Sequence, residues 1–169
     1  MDKKEENQVN YPIKKLVSKR DIDIAAFELL NGDLMLEATF LDTNHLIRLN
    51  LQIEPEKRRI VGAKCEFTNY PHTLCRSLEK KAELLIGLEI KRGITREIIE
   101  RTGGSEGCAH LKEIVLDTIN FAAMVLLGSV NGFGLISREF NLQDEKRKFE
   151  LSKDILRNTC FVYKDKEVK

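Results

Sequence analysis

From Asp21 to Phe67 apolar and polar residues tend to alternate. Ile22, Ile24 and Ala26 interleave with Asp21, Asp23 and Ala25, and Leu34 to Leu41 is rich in residues that favour extended backbone. His45 to Ile53 sets Ile47, Leu49 and Leu51 on one side against Leu46, Arg48 and Asn50 on the other, and Arg59 to Phe67 supplies a fourth run. A period of two marks half-buried strands. Asn31-Gly32 is a strong hairpin signal between the first two runs, and Glu54-Pro55-Glu56 turns the chain after the third. Four extended runs on short links predict an antiparallel four-stranded meander with one apolar face, which must be covered.

The period changes after Pro71. Leu74, Leu78, Ala82 and Leu85 recur at helical spacing, and Gly87 is placed to end that helix. A short helix is expected from about Thr95, as its cap, to Arg101, with the chain leaving it at Gly103-Gly104. The longest helix is predicted from Glu106 or Gly107 to Leu127 with Ser105 as cap, and Leu111, Ile114, Val115, Thr118, Ala122 and Val125 form its stripe. That stripe is the natural cover for the sheet, and a homodimer contact is its alternative use. Helix is also expected within the charged stretch from Gln143 to Lys153. Strands first and helices second give an α+β fold, an N-terminal antiparallel meander packed by C-terminal helices. The expected organisation is a flexible N-terminus over 1–12, one domain over 13–163 and a flexible tail over 164–169.

Composition narrows the function. The chain has 169 residues, and Lys plus Arg at 28 against Asp plus Glu at 27 leaves a net charge of +1, which disfavours a dedicated nucleic-acid binder. The longest apolar run, Phe121 to Leu127, is too short to span a membrane. The first residues, MDKKEENQ, develop no secretory signal, so a cytoplasmic protein with an unknown protein or small-molecule partner is expected. Four cysteines are too few for a disulfide scaffold of this size and point to free thiols or metal ligands.

Cys108 and His110 stand in Gly-Gly-Ser-Glu-Gly-Cys-Ala-His-Leu at the start of the longest helix, where free amides favour a thiolate. Cys75 near the first helix start and Cys160 near the carboxyl terminus would complete a Cys₃His set for zinc or iron with Cys108 and His110. A second reading makes Cys108 a catalytic nucleophile with His110 as its base. A third leaves the cysteines as buried structural thiols in a non-catalytic interaction protein. Cys65 falls in the last strand. His45 reads as turn polarity, His72 as a polar surface residue in a turn or a ligand in place of a distant cysteine, and Glu106 as a helix-start residue or an acid beside the Cys108 and His110 pair. Lys80, Lys81, Lys91, Arg92 and Arg96 form a basic group that could receive an anion or simply be solvated.

Asp21-Ile-Asp, Pro71-x-x-x-Cys75, Leu85-x-Gly87-x-x-Ile90-x-x-Gly93, Gly103-Gly-Ser-Glu-Gly-Cys-Ala-His-Leu111 and Cys160-x-x-Tyr163 together resemble the bacterial family called domain of unknown function 2889. The resemblance runs from about residue 18 to 163, and Ala109 stands where that family usually has threonine. It carries no activity, but Cys75, Cys108, His110 and Cys160 match its pattern whereas Cys65 does not, which favours a metal or thiol site. An early antiparallel sheet followed by a Gly-Cys pair opening a helix is also similar to iron–sulfur scaffold proteins.

Overall fold

The computed structural model of the chain describes residues 12–130 and positions 150, 157, 163 and 164. Strands β1 (Asp21–Glu28), β2 (Leu34–Leu41), β3 (Leu46–Glu54) and β4 (Arg59–Asn69) form one antiparallel sheet in the order β1-β2-β3-β4. The meander follows from the alternation. Gly32 takes the left-handed φ of 85° that closes the first hairpin, and the Asn31 side chain accepts from the Asp33 N–H across the same turn.

Leu36, Ala38 and Phe40 of β2 and Ile47, Leu49, Leu51 and Ile53 of β3 project to one buried face, joined by Ile60, Cys65 and Phe67 of β4. Two helical segments cover that face, a 3-10 helix (Thr73–Leu85) against β4 and α2 (Ala109–Val130) against β1, β2 and β3, and α1 (Ile94–Thr102), between them in sequence, packs against both. Leu111, Ile114, Val115 and Ala122 of α2 are fully buried, so the expected stripe is used by the chain's own core. Thr118 is also fully buried, and its hydroxyl donates to the Ile114 carbonyl at 2.7 Å, which removes the cost of an unpaired polar group inside the stripe. No helix among the described residues is long and apolar enough to cross a membrane.

The helix starts depart from expectation in three places. Thr73–Leu85 is wound as a 3-10 helix, with bonds of the i to i−3 kind such as Cys75 N–H to His72 O at 2.9 Å. Its apolar residues at spacings of three and four suit a period of 3.0 as well as 3.6, and Leu74 stays exposed. Helix α1 begins at Ile94, capped by Gly93 rather than by Thr95. Helix α2 begins at Ala109, because residues 103–107 are taken up by a tight turn in which the Cys108 N–H bonds the Thr102 carbonyl at 2.9 Å. A Cβ on Gly107 would run into the carbonyl oxygens of Thr102 and Gly103. Glycine is therefore required there, and Ser105 and Glu106 lie exposed in the turn ahead of the helix. The helix expected within 143–153, Cys160 and the terminal segments 1–11 and 165–169 lie outside the described residues, apart from position 150.

Candidate metal centre

The register of the sheet builds the site. Ile22 pairs with Phe40 and Phe40 with Ile47, which makes the last apolar row at one end of the buried face. Two residues further along, in the same inward phase, come Arg20 ahead of β1, Asp42 after β2 and His45 before β3. The first turn of α2 brings His110 over this row. Among the described residues, Asp42, His45 and His110 form a group whose ligand atoms all lie within 4.8 Å of one another.

A two-residue link, Thr43-Asn44, holds the first two members. Asp42 Oδ1 accepts from the backbone N–H groups of Asn44 and His45 and lies 2.9 Å from His45 Nδ1. Burial acts to raise the Asp42 pKa, but these bonds and the His45 ring outweigh it and hold the carboxyl at about 2. Asp42 is thus an anion throughout the physiological range. His45 is only 8% exposed, and its ring centroid lies 3.9 Å from that of His110 at an interplanar angle of 35°. Phe40 closes the floor, edge-on to both imidazoles at 6.4 and 5.4 Å.

His110 has its pKa lowered, first by burial and then by the neighbouring His45 ring, with Asp42 acting in the opposite sense. Lowering favours neutral imidazole, the form that coordinates a metal. Arg20 borders the group: one guanidinium nitrogen lies 3.4 Å from Asp42 Oδ2, another donates to both oxygens of Glu113 at 3.0 Å, and the guanidinium carbon sits 4.8 Å from the Phe40 centroid. Glu113 follows His110 by three residues, so the two share a face of α2.

These positions overturn the expected cysteine–histidine cluster of Cys75, Cys108, His110 and Cys160. Of its described members only His110 belongs to the converging group, whose other ligands come from the β2–β3 turn. Cys108 Sγ does lie 4.0 Å from His110 Nδ1, but it sits at the N-cap of α2 and accepts the Leu111 N–H at 3.4 Å. Its sulfur is engaged by the helix end. Cys75 is half-buried on the 3-10 helix that packs along β4, and Cys160 lies outside the described residues. Cys65, Cys75 and Cys108 are all free thiols. Cys65 is buried on β4, and burial, together with the charges of Glu79 and Cys108, pushes its pKa up to about 12.

Turn polarity alone, the role expected of His45, is also an incomplete account of it. The turn bonds exist, yet the ring points inward, and its odd-number phase with Ile47, Leu49, Leu51 and Ile53 was the available signal. The same extrapolation from Leu34, Leu36, Ala38 and Phe40 reaches Asp42. His72 is the exposed cap of the 3-10 helix, its Nδ1 accepting the Leu74 N–H at 3.2 Å. Of the basic group, Lys91 and Arg96 pair locally with Glu89 and Glu100.

No curated protein and no solved structure matches the chain. One family model does, over residues 18–124, a span that takes in the whole sheet and every residue of the Asp42, His45 and His110 group but ends before Cys160. The chain therefore belongs to the family described as protein of unknown function (DUF2889).

Proposed function

We propose that this chain is a metal-binding protein whose centre is Asp42, His45 and His110, with zinc or iron(II) as the ion. The observation that carries the proposal is the convergence of three ligand atoms within 4.8 Å. Two imidazoles and one carboxylate are a donor set that zinc and iron(II) both accept. Ligand atoms about 2.1 Å from a tetrahedral ion stand about 3.4 Å apart, so side-chain adjustments of about an ångström would close the group on a metal. The turn amides keep Asp42 ionised and oriented, and the burial of His110 disfavours its imidazolium form, which favours a ring nitrogen lone pair for the metal. Three protein ligands leave coordination positions for water or another small molecule, where the ion would act as a Lewis acid. Phe40 shields the imidazoles from one side.

Elemental analysis of gently purified protein tests this. Near-stoichiometric zinc or iron is expected in the wild type and in Cys108→Ser and Cys160→Ser, and its loss in His110→Ala and Asp42→Asn, with circular dichroism confirming that each variant is folded. Metal retained by folded His110→Ala, or lost on replacing a cysteine alone, refutes the assignment.

A further inference from the structure

Arg20 occupies an unusual place. Its guanidinium bridges two carboxylates, Asp42 at 3.4 Å and Glu113 at 3.0 Å, of which the first belongs to the proposed centre and the second shares a helix face with His110. It is 46% exposed, with its guanidinium resting against Phe40. It is also the last residue of the segment 12–20, which has no regular structure and is exposed along its length, including Leu16 at 77% and Val17 at 84%. Apart from Arg20, the side-chain ties from this segment to the described body of the fold are Ser18 to Thr43, in the β2–β3 turn itself, at 3.4 Å, and the local ion pair of Lys19 with Asp21 at the start of β1, at 2.8 Å.

The geometry points to Arg20 as a tethered cation that competes with the metal for the carboxylates of this site. This rests on the metal-centre proposal and adds its regulation. Without a metal, the guanidinium neutralises Asp42 and Glu113. A divalent ion drawn in by Asp42 repels the guanidinium and takes over the oxygen that it faces. Asp42 does not need Arg20 for its orientation, because three other donors already hold Oδ1. Removing Arg20 therefore strengthens metal binding rather than weakening it. Displacing Arg20 also loosens the segment 12–20, so metal occupancy is read out as release of an exposed strand-leading strap that carries Leu16 and Val17. Glu113, freed of its partner three residues from His110, becomes available as an added oxygen donor.

The test uses the full chain and zinc chloride titrated against a competing chelator. Arg20→Gln should bind zinc about fivefold more tightly than wild type, the scale of displacing one half-exposed ion pair. Arg20→Lys, which keeps the charge but loses the two-pronged contact, should fall between them. In wild type, zinc should also speed tryptic cleavage after Arg20 relative to cleavage after Lys57, whose turn lies away from the site. Zinc binding by wild type with equal or weaker binding by Arg20→Gln refutes the competitor role and leaves the centre standing. No zinc uptake by either protein overturns the centre and this inference together.

Discussion

Replacing Asp42 with asparagine isolates the charge of one side chain. The amide keeps an oxygen in the position of Oδ1, so the bonds from the Asn44 and His45 N–H groups survive, while the negative charge beside His45 and Arg20 is lost. The side chain is only 12% exposed, which limits screening by solvent. A carboxyl held at about 2 rather than 3.8 binds its proton less readily in the folded state than in the unfolded one. Tenfold in proton affinity is about 1.4 kcal/mol, so the ionised form contributes about 2 kcal/mol to folding at neutral pH. Because the folded pKa lies below the unfolded one, that contribution is complete above about pH 4 and disappears as the pH falls toward 2. Urea unfolding with a chelator present, for wild type and Asp42→Asn in parallel, should show the variant less stable by about 2 kcal/mol at pH 7. The gap should close between pH 4 and pH 2, where other carboxylates titrate equally in both proteins and cancel. A gap that is absent at pH 7, or that persists unchanged to pH 2, refutes the account of Asp42 as a stabilised anion.

Gly107→Ala should cost about 2 kcal/mol or more, seen as a lowered melting temperature, because the new methyl group meets the Thr102 and Gly103 carbonyls and the turn must open. Leu49→Ala, at a fully buried position in the middle of the sheet, should cost about 2–5 kcal/mol in the same assay without changing the fold by circular dichroism. Cys65, buried with its pKa at about 12, should resist alkylation by iodoacetamide at pH 8 in the native protein and react once urea unfolds it. Rapid native labelling at Cys65 would contradict its place in the core.

The sheet was legible because one face of its two central strands is buried along their full 8 and 9 residues, and that burial imposes a strict period of two on β2 and β3. The sequence pattern did not separate the 3-10 helix from an α-helix, since the difference lies in hydrogen bonding and not in which residues are buried. Ser105 looked like a helix cap because serine suits that role, but the close approach at Gly107 puts the turn, and hence the cap, three residues later at Cys108. The candidate site was half legible. His110 stood out beside a glycine-rich turn, whereas Asp42 and His45 sit in a turn whose ordinary polar composition gives sufficient reason for both. Nothing in their spacing to His110 marks the three as a group, because it is the docking of α2 on the sheet that unites them.

That division of the centre bears on how the protein folds. Asp42 and His45 belong to one hairpin, and their shared hydrogen bond forms as soon as β2 pairs with β3. His110 arrives only when α2 docks, a contact between parts of the chain far apart in sequence and therefore slower to form. A metal held by all three side chains would stabilise the docked state far more than the hairpin alone. If docking follows the rate-limiting step, metal would slow unfolding and leave the folding rate nearly unchanged.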